Sequence, residues 1–203
     1  MSAGAPSIAS VVSLLQEAQA RGFLGPGPVE AHVELARGAL PLLTPGTRAL
    51  DLGSGGGALG LPLAVLAPDT TWTLVESSVT RADFLARVAG RLDLPEQPRV
   101  VAQPAEVAGR GALRATFDLV VARSFGPPAT TAECGAPFLR LGGTLAVTEP
   151  PEGKAGRWSV EGLASLGLEI GARIGAFQTF LQVTECADRF PRRMGVPRQR
   201  PLF

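Results

Sequence analysis

Reactive and titratable side chains are scarce in this chain of 203 residues: it has two cysteines, one histidine and a single lysine against 18 arginines. Cys134 and Cys186 stand far apart in sequence and outside any metal-ligand spacing, which argues against a thiolate metal site and against a disulfide framework. Isolated thiols suit a reducing compartment. The lone His32 falls on an apolar helical face, where a satisfied structural role is the expectation. No apolar run reaches membrane-spanning length, and no charged segment followed by an apolar one opens the chain as a secretory signal would. These absences predict a soluble, cytoplasmic protein with neither metal nor membrane partner. A net charge of +1 denies it a global nucleic-acid footprint, and 25 Gly with 18 Pro lack the period of a collagen or a repeat array.

What is present suffices for one domain. Apolar residues make up 45% of the chain, enough for a sizeable core. The basic charge is concentrated at the end: residues 189–203 carry Arg189, Arg192, Arg193, Arg198 and Arg200 with no acid, so the chain before them is net acidic. Three segments are expected, namely a helical N-terminal cap over 1–45, an α/β domain over 46–188 and an Arg-rich tail over 189–203.

The stretch Arg48–Gly60, R-A-L-D-L-G-S-G-G-G-A-L-G, organises the rest. Ala49, Leu50 and Leu52 read as a buried parallel strand, Asp51 sits at its tip, and the apolar run beyond the glycines reads as a helix. Glycines there can take positive φ and let a ligand lie against bare backbone. Two cofactor patterns overlap. Gly55–Gly60 fits the G-x-G-x-x-G dinucleotide fingerprint, with Glu76 at the tip of a second strand. Asp51–Gly57 fits the D-x-G-x-G-x-G of class I methyltransferases, in which an acid at the second strand tip takes the ribose hydroxyls of S-adenosylmethionine. The loop alone does not choose between them.

Along the chain, helices are expected over 7–21 and 28–40, then strands near 48–52, 71–75, 99–102, 117–122 and 143–148 alternating with helices near 58–67, 78–91, 104–110, 128–140 and 153–166. Two last β runs, 168–174 and 176–185, are separated by Gly175 alone, too short for a crossover, so they form an antiparallel hairpin. A mostly parallel sheet closed by such a hairpin is the methyltransferase arrangement, and the dinucleotide reading loses ground. At the strand ends, Glu76 pairs with Asp51 as a cofactor acid, and Gln103-Pro104-Ala105-Glu106 stands where adenine would be held. Glu106 reads equally as a helix-start acid favoured by the macrodipole. Arg123, before Ser124-Phe125-Gly126-Pro127-Pro128, lies at the carboxyl end of a strand, in the crevice where open α/β sheets bind ligands. No N-P-P-[FY] or D-P-P-[FY] follows that strand and no Pro-Cys pair exists, which disfavours the amino-adenine and covalent pyrimidine schemes. No strong general base is visible, as suits transfer to a nucleophile that needs no deprotonation.

With those residues in place, the chain from about Gly46 to Phe203 resembles the GidB family of guanine-N7 methyltransferases of small-subunit ribosomal RNA. The resemblance rests on D-L-G-S-G-G-G-A-L-G-L-P-L-A, L-V-E-S, R-A-D-F-L, V-A-R-S-F and the tail F-P-R-R-M-G-V-P-R-Q-R-P-L. It implies a class I fold with a mostly parallel Rossmann-like sheet, S-adenosylmethionine as cofactor and 16S ribosomal RNA of the small subunit as partner; apart from it, a monomer is expected. It also implies that Gly53, Ala58, Ala105, Glu106 and Arg123 serve the cofactor, beside Asp51, Gly55, Gly57 and Glu76, which the loop pattern and the strand tips already assign to it. Arg123 would also position the target base, and the five tail arginines would meet RNA. The sequence departs from the family at Ala31–Ala36, where only His32 is kept of Arg-His-[LI]-x-Asp-Ser, at Leu59, and after the fifth strand, where Lys-Gly has become Thr148-Glu149. A paralogue with another substrate, a non-catalytic cofactor-binding module and an NAD-binding oxidoreductase are the alternatives.

Overall fold

A computed structural model describes residues 7–150 and 156–203. Helix α1 (Ile8–Ala20) starts where the Ser7 hydroxyl accepts the Ser10 amide at 3.2 Å, a side-chain cap for an otherwise orphaned donor. It is followed by α2 (Glu30–Arg37) and a 3-10 turn at Leu40–Leu42. Then come β1 (Arg48–Leu52), α3 (Gly60–Leu66), β2 (Thr71–Glu76), α4 (Val79–Ala89), β3 (Arg99–Ala102), α5 (Ala105–Ala108), β4 (Phe117–Ala122) and α6 (Pro128–Gly135). The chain ends with β5 (Leu139–Thr148), α7 (Val160–Ala164), β6 (Leu168–Ile174), β7 (Phe177–Gln182) and α8 (Val196–Gln199).

The seven strands lie in the order β3-β2-β1-β4-β5-β7-β6, parallel through β5 and antiparallel at β7 and β6. Strand order reverses between β1 and β4, where Asp51 stands level with Val121 and, on its other side, with Leu74 of β2. That reversal opens a crevice at the carboxyl ends of the strands, the place where open α/β sheets hold ligands. Side chains alternate across the sheet. Ala49, Leu119 and Val121 face a core with α1 to α4, while Leu50, Leu52, Val120 and Ala122 face one with α5 to α7, around Phe138 and Phe180. The N-terminal helices share the first layer: Val11, Leu15 and Ala18 are buried there, and Glu17 of α1 accepts from Arg87 at 2.9 Å and Arg91 at 2.7 Å.

Several boundaries differ from those expected. The helix expected over 128–140 stops at Gly135 and continues as a 3-10 turn over Ala136–Phe138, because Pro137 has no amide for the α-helical ladder. Strand β5 therefore begins at Leu139, before the expected 143, through Arg140, Leu141 and Gly142, which are exposed and carry no strand pattern. Of the helix expected over 153–166, residues 153–155 lie outside those described, 156–159 form a turn, and only the short α7 is helical. Two residues, Gly175 (φ +55) and Ala176, join the hairpin rather than one. The Arg-rich tail contains α8, with Pro197 in the first turn, where the missing N–H costs little. No helix among the described residues is long and apolar enough to cross a membrane.

Candidate active site

Asp51 and Glu76 end neighbouring strands and are buried, at 2% and 4% exposure. Asp51 Oδ2 accepts the Gly60 amide at 3.0 Å. Burial nevertheless pushes its carboxyl up to about 6, the Gly60 amide only partly opposing. Glu76 ties two loops together: Oε2 accepts the Gly55 amide and Oε1 the Ser78 amide, each at 2.8 Å. A carboxylate has about four acceptor positions, so one on each oxygen of Glu76 is left for a ligand.

The crowded glycines do different work. A Cβ on Gly57 (φ +83) would run into Leu61 and Leu85, and one on Gly60 would lie 2.5 Å from Leu74 and 2.8 Å from Asp51. These two let helix and strands close together. A Cβ on Gly53 (φ +70) would stand 2.6 Å from the Phe125 ring. Gly55 (φ +57) alone among them faces open space, its nearest neighbour being Gly53 O at 3.9 Å.

That space is a cavity of about 490 Å³ lined by Asp51, Gly53, Gly55, Ala58, Glu76 and Arg123. Gly57 is not among the lining residues; it shapes the loop from beneath. A neighbouring cavity of about 350 Å³ is lined by Ala105 and Glu106, and it shares Gly53, Ser77, Phe125 and Arg198 with the first. The Glu106 carboxylate accepts the Gly195 amide at 3.0 Å, so it anchors the tail while facing this cavity.

Arg123 ends β4 with Nη1 2.8 Å from His32 Nδ1. Burial, with Arg123 adding to it, lowers the His32 pKa, which leaves a neutral ring accepting at Nδ1. Burial also lowers the Arg123 pKa, and the negative charge of Asp51 opposes this. His32, expected to be structural, thus lines the cavity and holds Arg123. Its retention in the otherwise altered Ala31–Ala36 segment was the signal for it. The next residue, Ser124, takes φ +52, a left-handed conformation that non-glycine residues adopt rarely and that Ala115 shares.

The tail arginines divide. Arg198 lines both cavities, and Arg193 and Arg200 are exposed. Arg189 lies over the Phe190 ring at 4.9 Å. Arg192 is turned inward, against the expectation that all five form one basic strip. Its Nη2 and Nε bond Glu133 at 2.6 and 2.8 Å, and Glu133 has no exposed surface. A buried carboxylate needs such a partner. Neither thiol is poised to react, since burial raises Cys134 well above the usual range and Cys186 to about 11. Among the described residues no group of His, Cys, Asp and Glu is arranged to hold a metal ion.

Residues 31–149 match the sequence model of the GidB family, described as rRNA small subunit methyltransferase G. The chain belongs to that family. It is 31% identical to the ribosomal RNA small subunit methyltransferase G of Syntrophomonas wolfei, over 87% of each chain. Its counterpart in Deinococcus deserti is also 31% identical, over 96% of this chain and 87% of its own. A crystallised protein from Corynebacterium glutamicum aligns with a TM-score of 0.59 at 17% identity, covering 88% of this chain and 92% of its own. A geranyl diphosphate methyltransferase solved with S-adenosylmethionine aligns at 0.55 and 15%, covering 74% and 82%. The sheet order, the closing hairpin and these likenesses make this GidB chain a class I methyltransferase fold.

Proposed function

We propose that this GidB chain, acting as a monomer, transfers a methyl group from S-adenosylmethionine to nitrogen 7 of a guanine in 16S ribosomal RNA. The observation that carries the reading is Gly55: within a ribosomal RNA methyltransferase family, one loop glycine opens onto a cavity flanked by two buried carboxylates. The residues present fit the cofactor. Glu76 has acceptor capacity for two ribose hydroxyls, and Asp51 offers a buried carboxylate to an ammonium. The backbone at Gly53, Gly55 and Ala58 takes the methionine end, Gly57 keeps the loop in shape, and Ala105 with Glu106 bounds the adenine.

When bound, the cofactor supplies a sulfonium methyl; the lone pair of N7 takes it as the carbon–sulfur bond breaks, leaving a neutral thioether and a cationic purine. N7 carries no proton, so no base is required, and the chain's contribution is orientation and electrostatics. His32 accepts from Arg123 and so fixes the guanidinium beside the reacting edge of the base. Arg189, Arg193, Arg198 and Arg200 are the tail cations left to meet phosphates. The closing hairpin and the family weigh against NAD.

Calorimetric titration tests the cofactor: S-adenosylhomocysteine binds and NAD does not, and tight NAD binding overturns the assignment. Incubation with labelled cofactor and small ribosomal subunits or free 16S RNA tests the substrate, the label being expected at guanine N7. Deleting the tail after Asp188 would strip Phe190 from the core and leave Glu133 unpaired. The joint replacement of Arg193, Arg198 and Arg200 by alanine is therefore the better probe. It is expected to flatten the salt dependence of RNA binding by about 0.7–0.9 in log–log slope for each phosphate that is no longer neutralised.

A further inference from the structure

Across Ser124 and Phe125 from the cofactor cavity lies a third cavity, of about 300 Å³, at the carboxyl ends of β4 and β5. Phe125, Thr148, Glu149, Arg157 and Trp158 line it. The Glu149 side chain is only 6% exposed, and its Oε1 lies 3.2 Å from Arg157 Nε. Among the described residues neither atom completes a hydrogen bond, and the buried Trp158 indole N–H finds no partner there either. Among the described residues, one hollow thus holds a buried carboxylate oxygen, ion-paired but short of a completed hydrogen bond, beside a guanidinium N–H and an indole N–H in the same condition. Native interiors seldom leave such groups unpaired unless something else pairs them. The strained Ser124 joins this hollow to the cofactor cavity, lining both.

We propose that this third cavity receives the target base and that Glu149 is the residue that selects guanine. The inference rests on the function proposed above. Guanine presents two donors, N1–H and the N2 amino group, next to one acceptor, O6. A carboxylate beside an indole or guanidinium N–H offers the complementary set, whereas adenine would place an acceptor against Glu149 and a donor against the N–H group. With that edge engaged, N7 stays free on the adjacent edge of the base, its lone pair roughly at a right angle to the first, on the side turned toward Ser124, Arg123 and the cofactor cavity. The flat faces of the base meet Phe125 and Trp158, the latter backed by Phe180 at 4.4 Å between ring centroids. Methylation makes the purine cationic, so a carboxylate at N1–H binds the transition state more strongly than the ground state.

The test uses the full-length protein with 16S RNA or small subunits. Glu149→Gln keeps the shape and removes the charge. It is expected to lower kcat/KM at least 100-fold while S-adenosylhomocysteine affinity stays within twofold, because Glu149 lines neither cofactor cavity. An RNA with inosine at the mapped position lacks the N2 amino group. It is expected to cost the wild type at least tenfold, and this arm needs no variant. Glu149→Gln is expected to be nearly indifferent to the same change. Variant activity above a third of wild type, or wild-type indifference to inosine, overturns the pocket alone. A wild type that binds S-adenosylhomocysteine yet labels no guanine overturns the function above and the pocket with it.

Discussion

Two buried glutamates in the C-terminal half each meet an arginine, and the two pairs are built differently. Glu133 has no exposed surface, takes three hydrogen bonds from Arg192, including the backbone amide at 2.8 Å, and opens onto no cavity described above. Glu149 lies 3.2 Å from Arg157 with no completed hydrogen bond between them, and it opens into one. The first pair is closed by the fold and fastens the tail to α6. The second is left open, as a group reserved for a ligand would be. Glu76 stands between these cases, half occupied by the loop amides and half available. How far the protein itself satisfies a buried carboxylate therefore separates scaffold from site, and this can be tested by removing partners one at a time.

The largest effect is expected at the closed pair. Arg192→Ala leaves a buried, unpartnered carboxylate and should cost about 3–5 kcal/mol, read as a lower denaturant midpoint. A loss below about 1 kcal/mol would erase the distinction between the pairs.

Asp51 extends the comparison to a carboxyl whose burial outweighs its single amide. Its folded pKa of about 6 lies above the ordinary value of 3.8. Between those values the folded chain binds the extra proton, so this group makes stability fall as pH rises from about 4 to 6, by ~3 kcal/mol in all. Asp51→Asn should remove that slope from unfolding curves measured across the window.

Gly55 and Gly57 give the same contrast in backbone. Gly55→Val fills open space at positive φ and should cost about 1–3 kcal/mol of stability while S-adenosylhomocysteine binding is lost. Gly57→Ala collides with Leu61 and Leu85 and should lower the melting temperature more than Gly55→Ala does. Equal losses would mean that both glycines serve packing.

Glu76→Ala should weaken S-adenosylhomocysteine binding by more than tenfold, about 1.4 kcal/mol. An affinity change under threefold with the fold intact would make Glu76 only a loop tie. The smallest effect is expected on the stability of Glu149→Gln, below about 1 kcal/mol because Arg157 remains 32% exposed and stays hydrated. A large loss would make this pair structural, like the first.

Much of this was legible in the chain. The apolar strand cores, the glycine loop after Asp51, the acids at the strand tips and the short joint at Gly175 are local signals, and β1, β2, β3 and β4 lie within a residue of where they were expected. Boundaries failed where local signals were weak or misleading: exposed Arg140–Gly142 extends β5, and Pro197 sits in the first turn of α8.

Residues adjacent along the chain were enough to set the sheet of alternating strands and helices, the glycine loop and the family, because each of these is written in short contiguous stretches. Packing across the fold settled the rest: which glycine faces open space, which tail arginine is used up by a buried acid, and that His32 holds Arg123. Those facts depend on what packs against a residue from 59 or 91 positions away. A periodicity describes the face a side chain takes on its own element, and the atom waiting on the other side is supplied by the fold.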